Sequence, residues 1–254
     1  MSATDNLQGC AAFVTGASSG LGARFAEVLA RAGAKVALAA RRADRLAALA
    51  DRIAAFDGRA IPVVCDVTEP KSIRAAVETA ETELGPIGIL VNNSGITVTK
   101  RILDVTPAEF DGVMATNVRG AFFTAQAVAE HMIRHETPGR IVNIASVLGL
   151  KPLAQVSVYA MSKAAMIQMT KAMALEWGRH GINVNCLCPG YIETEMNAAY
   201  WQTEGGRKLM ALQPRRRIGT PADLDAALLL LASGQPSRLI NGAVLAVDDG
   251  LSVS

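Results

Sequence analysis

The sequence predicts one α/β domain: a doubly wound parallel sheet of about seven strands with helices on both faces. Three observations predict it. Short continuous apolar runs alternate with longer segments of helical apolar spacing, and a strand is apolar throughout only when both of its faces are covered. A glycine-rich turn separates the first apolar run from the first helical segment. The chain has 254 residues, 50% of them hydrophobic, which suffices for one large core.

The elements follow in order. Residues 11–14 are the first strand. The turn runs Thr15-Gly16-Ala17-Ser18-Ser19-Gly20-Leu21-Gly22, and Phe25, Val28 and Leu29 then fall on one helical face that Gly33 closes. Residues 35–40 are the second strand, completing a βαβ unit. A helix over 41–55 presents Leu46, Leu49 and Ile53. Strand 61–64, helix 72–84 and strand 87–91 continue the alternation, followed by a long, mostly apolar helix over 110–133. Strand 140–145, helix 157–177, strand 182–188, helix 221–232 and strand 243–247 complete it. No linker or repeat interrupts, so residues 1–254 read as one domain. The segment 191–217 alone breaks the rhythm and reads as an insertion over the sheet. Met196, Tyr200, Trp201, Leu209 and Met210 are candidates for an apolar wall, or for plain packing, and Gly205-Gly206 for a hinge. Arg215-Arg216-Arg217 either steers an acidic substrate or forms a solvated basic turn.

Composition excludes several classes. Lys and Arg number 25 against 23 Asp and Glu, a net charge of only +2 where a nucleic-acid binder usually shows a larger or more clustered excess, and aromatics are 4%, so a nucleic-acid partner is not expected. No apolar run approaches the length of a membrane span, and residues 1–9 lack the pattern of a signal peptide. No membrane partner and a cytoplasmic location are expected. Cys10, Cys65, Cys186 and Cys188 lack redox or zinc spacing and read as reduced, mostly buried small hydrophobes, with Cys186 and Cys188 on one face of a strand. His131 and His135 are four apart at a helix end; only Glu130 and Glu136 are near in sequence, so they are expected to complement the helix dipole and no metal is expected. Met161, Met166, Met169 and Met173 read as core and interface packing.

Open parallel sheets bind ligands beyond the carboxyl ends of their strands, where strand order reverses. There the glycine turn lets backbone approach a pyrophosphate, and the next helix offers unpaired N–H groups. Gly16, Ser18, Ser19, Gly20, Leu21 and Gly22 are the candidate contacts, spaced G-x3-G-x-G. The segment Asn92-Asn93-Ser94-Gly95 follows the fourth strand, and Ser146, Tyr159 and Lys163 lie beyond the fifth. With these motifs in this order the chain resembles the short-chain dehydrogenase/reductase family, end to end, on a Rossmann-type sheet. The second strand ends in Ala40 followed by Arg41 and Arg42, with no acidic residue before Asp44. A carboxylate there would repel a ribose 2′-phosphate and an arginine would accept it. The pattern implies NADP(H), with NAD(H) as the second possibility; Arg41 is the first candidate and Arg42 the second, the alternative being a solvated helix start. The resemblance implies that Asp66, with Val67 after it, contacts the adenine; Asp66 can equally cap the turn at Thr68. It implies cofactor contacts at Asn93 and Gly95, and at Pro189, Gly190, Ile192 and Thr194. Ser94 stands where the family commonly has alanine, and its hydroxyl needs a partner if buried.

Tyr159 and Lys163 are four apart, so they share a helix face about 6 Å apart along its axis. An ammonium favours phenolate, so Lys163 is expected to lower the Tyr159 pKa and make it a usable general acid and base. Hydride transfer to a carbonyl needs such a proton donor plus a second hydrogen bond to the oxygen, which Ser146 can supply. The resemblance implies that Tyr159 and Lys163 also touch the cofactor, Lys163 at the nicotinamide ribose, and that Asn117 completes a proton relay. The expected activity is oxidoreduction of a ketone and a secondary alcohol. A 3-oxoacyl thioester reductase is an alternative within the family, and a non-catalytic nucleotide-binding scaffold is one outside it. Helices 110–133 and 157–177 are apolar on more than one face, which predicts a homo-oligomer; the resemblance suggests a tetramer.

Overall fold

A computed structural model describes residues 7–195, 197–234 and 237–254. Seven strands form one parallel sheet: β1 (Ala11–Thr15), β2 (Lys35–Ala40), β3 (Arg59–Val64), β4 (Ile87–Asn92), β5 (Gly139–Ile144), β6 (Ile182–Pro189) and β7 (Val244–Val247). Their order is β3-β2-β1-β4-β5-β6-β7, so the direction of winding reverses between β1 and β4. The helices are α1 (Gly20–Arg31), α2 (Ala43–Ala54), α3 (Pro70–Leu84), α4 (Pro107–Met114), α5 (Ala121–Arg134), α6 (Ser157–Trp177), α7 (Ala198–Trp201), α8 (Glu204–Ala211) and α9 (Asp225–Ala232). The expected fold class holds, and α6 has the expected limits.

Alternation along each strand divides the core in two. Ala12 and Val14 of β1 face α1, α2 and α9, packing with Phe25, Leu29, Leu46, Ile53 and Leu228. Ala11 and Phe13 face the other way, toward α3, α5 and the end of α6, with Ile73, Val77, Val128 and Met173. Each layer removes large apolar side chains from water, the dominant favourable contribution to folding.

Two departures from the expected elements position the site. The long helix begins at Pro107, where Thr106 and Glu109 form a capping box. Between α4 and α5 the residues Ala115–Gly120 form a π-helical turn. Such turns are rare and concentrate at functional sites. The insertion over 191–217 carries α7 and α8. Gly206 is buried there, its N–H donating to Thr203 Oγ1 at 3.1 Å, and a Cβ on it would lie 2.1 Å from the Tyr200 carbonyl oxygen. Gly206 is therefore a packed residue of α8 and not a free hinge, while Gly205 beside it in the helix is exposed.

Candidate active site

The cleft lies at the carboxyl ends of β1 and β4, where winding reverses. Gly16 and Gly20 have φ of +67° and +56°, values that favour glycine. Gly22 opens the way for close packing: a Cβ there would lie 2.3 Å from the Gly16 carbonyl oxygen and 2.6 Å from Asn93 Nδ2. Thr15 ties this turn to the segment after β4. Its Oγ1 accepts from the Asn93 and Ser94 N–H groups at 2.9 and 3.0 Å, while Asn93 Nδ2 donates to the Thr15 carbonyl at 3.1 Å. Ser19 precedes α1 without capping it through its side chain, and the first turn of α1 has no acidic residue. These N–H groups and the helix dipole fit the pyrophosphate of a dinucleotide.

The two arginines after β2 behave differently. Arg42 Nη2 donates to Ser18 Oγ at 2.7 Å and to Ser19 Oγ at 3.0 Å, which holds its guanidinium against the turn. Arg41 is exposed on the side of Asp66, whose carboxyl it helps hold below the ordinary value. The main cause of that lowering is the Thr68 N–H, which donates to Asp66 Oδ1 at 2.9 Å; the Thr68 hydroxyl adds a second bond at 2.8 Å. Asp66 thus caps the turn before α3, with Val67 beside it half-buried. Arg42, ranked second from sequence, is the cation that joins the glycine turn.

Beyond β5, Ser146 caps the short helical turn Val147–Gly149, its Oγ accepting from the Leu148 N–H at 3.1 Å. Ser146 is near enough to Tyr159 to lower its phenol pKa somewhat. Lys163 is buried on α6, with Nζ donating to the Ile144 carbonyl at 2.7 Å and lying 5.5 Å from the Tyr159 ring centroid. Burial pushes the Tyr159 phenol above its ordinary value, and the Ser146 hydroxyl only partly opposes this. Burial pulls the Lys163 ammonium down to about 8. The expected lowering of Tyr159 by Lys163 is not what the site does, because the ammonium is turned onto a backbone carbonyl and desolvation dominates.

Asn117 lies inside the π turn, fully buried. Its Oδ1 accepts from the Ile96 N–H at 2.8 Å, and its Nδ2 donates to the Ile96 carbonyl at 2.9 Å and to Ser162 Oγ at 3.0 Å. Gly95 links the two halves: a Cβ on it would lie 3.4 Å from Asn117 Oδ1 and 3.5 Å from Lys163 Nζ. One continuous wall therefore runs from the glycine turn through Asn93 and Gly95 to Asn117 and Lys163. Ser94 is half-buried beside it. On the opposite side Pro189 ends β6, the Gly190 N–H donates to the Val247 carbonyl at 2.9 Å, and Ile192 bridges to Gly219. The Thr194 side chain approaches to 3.9 Å of a Cβ placed on Gly20, so it spans the cleft mouth.

Asn92 was quoted with its segment from sequence, but its partners Asn143 and Thr170 were not singled out. The register pairs Asn92 with Asn143, and Asn92 Nδ2 donates to Asn143 Oδ1 at 3.1 Å and to the Ala121 carbonyl at 2.9 Å. Asn143 Nδ2 passes the chain on to Thr170 Oγ1 at 2.9 Å. This buried polar ladder braces β4, β5, α5 and α6 beneath the site. Its only signal in the sequence is a polar residue inside each apolar run. Cys186 and Cys188 do share a face of β6, with their sulfurs 3.8 Å apart.

Other expectations resolve simply. All four cysteines are free, with Cys10 exposed. Met166 and Met173 are core, but Met161 is 52% exposed. Trp201 is buried, edge-on to Tyr191 and Tyr200, whereas Tyr200 is exposed; Met196 lies outside the described residues. Arg215 and Arg217 both pair with Asp249, at 3.2 and 2.9 Å, so two of the three arginines anchor the insertion to the end of the chain. Among the described residues, no helix is long and apolar enough to cross a membrane.

Known proteins match this arrangement along the whole chain. The short chain dehydrogenase family model matches residues 10–205. Gluconate 5-dehydrogenase of Gluconobacter oxydans is 39% identical over 250 residues, covering 98% of this chain and 97% of that protein. A 3-oxoacyl-(acyl-carrier-protein) reductase of Vibrio cholerae is 37% identical over 246 residues, covering 97% and 98%. A solved gluconate 5-dehydrogenase of Burkholderia cenocepacia, in complex with NADP and tartrate, superimposes with a TM-score of 0.94 at 36% identity, covering 99% and 98%. A match along nearly the whole chain at 36–39% identity settles the kinship: this chain belongs to the short-chain dehydrogenase family.

Proposed function

We propose that the protein is an NADP(H)-dependent oxidoreductase that interconverts a ketone and a secondary alcohol on a polar, gluconate-like substrate. The observation that carries this reading is the meeting of Ser146, Tyr159 and Lys163 on the same wall as the glycine turn. Bound NADPH would supply the hydride. Gly16, Ser18, Ser19, Gly20, Leu21 and Gly22 would hold its pyrophosphate, Arg42 its 2′-phosphate, and Asp66 and Val67 would border the adenine. Asn93, Gly95, Pro189, Gly190, Ile192 and Thr194 would frame the nicotinamide half.

Tyr159 is the general acid. With its phenol raised and the lysine at about 8, neutral pH leaves the phenol protonated and the ammonium charged. That state suits reduction, in which an alkoxide develops and takes the phenolic proton. Ser146 holds the same oxygen by a second hydrogen bond. Lys163 would bind the ribose, its ammonium held at the Ile144 carbonyl, and Asn117 holds the segment through which the proton is replaced. A scaffold without chemistry would not need this set of groups.

The names of the relatives support a sugar acid or polyol, and the Vibrio cholerae relative supports a 3-oxoacyl thioester as the second reading. Consumption of NADPH with 5-ketogluconate, acetoacetyl thioesters and simple ketones tests both. Turnover of the keto acid at the highest kcat/KM supports the first reading, and preference for the thioester replaces it.

We also infer a homo-oligomer in the cytoplasm. The apolar faces of α5 and α6 border a groove of about 420 Å³ that includes Phe122, Ile133, Met169, Met173 and Trp177, and Phe122 is 41% exposed. A second copy of this chain is the occupant that suits two helices apolar on more than one face. Sedimentation at a monomer mass removes this inference. Four free cysteines suit a reducing compartment.

A further inference from the structure

The far ends of α3 and α5 bring together three groups that the proposed reaction does not use. Glu81 lies in the penultimate position but two of α3, His131 in the last turn of α5, and His135 at its C-cap. His131 Nδ1 is in contact with Glu81 Oε2, and His135 Nε2 lies 3.6 Å from the same oxygen. One ligand atom from each residue falls within 4.8 Å of the other two. The second carboxylate oxygen, Oε1, is buried and has no hydrogen-bond partner.

We propose that Glu81, His131 and His135 form a three-ligand site for a divalent transition-metal ion of the zinc type, clamping α3 to α5. Two imidazoles and a carboxylate suit that class of ion, with bonds of about 2.0–2.2 Å and adjacent ligand atoms about 3.3 Å apart in a tetrahedral shell. The observed spacing needs only small side-chain rotations to reach it. The neutral imidazoles and single carboxylate leave one negative charge to face a dication. A plain ion pair between His131 and Glu81 would employ one oxygen and leave Oε1 buried and unpaired, at a cost; a metal uses it. Glu81 and His131 are largely buried, whereas the His135 side chain is 44% exposed and provides an entry path and room for a water ligand. The neighbouring Glu130 is engaged by Arg74 at 3.3 Å and is not a ligand. His131 stands about 20 Å along the helix axis from Asn117, so the ion is structural and does not reach the reacting atoms.

The test is titration of the chelator-treated, full-length protein with zinc chloride, read by calorimetry and by melting. Expected is one ion per chain and a Tm rise of about 5–10 °C at a hundredfold excess over Kd. Magnesium should give no shift, because it prefers oxygen ligands. His135→Ala removes an exposed side chain and should weaken binding about tenfold or more while turnover stays at the wild-type rate. Glu81→Gln keeps the shape and should weaken it similarly. Absence of zinc binding by the wild type overturns the proposal. So does an unchanged Kd in Glu81→Gln, which would leave only a bare histidine pair on a helix.

Discussion

The glycine turn after β1 and the pocket after β5 face one cleft but are made of different material. Around the turn the working surface is backbone: positive φ at Gly16 and Gly20, and a Gly22 packed against the Gly16 carbonyl. Around the pocket it is buried side chain: Ser146, Lys163, Asn117 and the Asn92–Asn143–Thr170 ladder. The first region fails when an atom is added. The second fails when a partner or a charge is taken away. A nucleotide site of backbone is insensitive to pH, whereas a site of buried titratable groups carries its own pH response.

Substitutions on both sides sharpen this contrast. Tyr159→Phe should lower kcat by about 10³-fold and leave NADPH binding, followed by fluorescence, unchanged; lost binding would give Tyr159 a structural role. Next comes Lys163. Its ammonium titrates at about 8 when buried and at 10.5 otherwise, so the folded state holds fewer protons between those values. Its contribution to stability is therefore full above 10.5 and is lost as pH falls through 8, with a ceiling of about 1.4 kcal/mol per pH unit between them. Denaturant melts of wild type and Lys163→Met should diverge across that window, the wild type gaining relative stability as pH rises; parallel curves would place the ammonium in water. Gly22→Ala should cost about 2 kcal/mol, a fall in Tm of about 4–8 °C, and should weaken NADPH binding even where the protein remains folded. The smallest effect falls on Arg42→Ala, which should raise the NADPH Kd about tenfold and leave NADH unchanged. The same loss from Arg41→Ala alone would restore the order of the two arginines read from sequence.

The outline of the fold was legible because parallel strands covered on both faces must be apolar, and α6 was delimited at both ends. Strand ends were read short at Thr15 and Asn92, where a polar residue still belongs to the ladder because its side chain is bonded inside. The start of α4 was missed although Thr106-Pro107-Ala108-Glu109 carries a capping signal. The cleft residues were named from their order along the chain, but their states were not. Whether Lys163 faces the phenol or a carbonyl, and which arginine reaches Ser18, depends on rotamers and depth, which periodicity does not encode. Glu81 could not be joined to His131 and His135 from sequence because it comes from another helix, fifty residues earlier.

The π turn at 115–120 acts on the helix as a change of phase. One extra residue in a turn advances every later side chain by about 100°. The stretch before it can dock against one set of neighbours while α5 beyond it is free to dial its own angle. Within the turn Asn117 meets the Ile96 backbone and Ser162, while beyond it Phe122 borders the open groove and His131 meets α3, bearings offset from those of α4 by the extra residue.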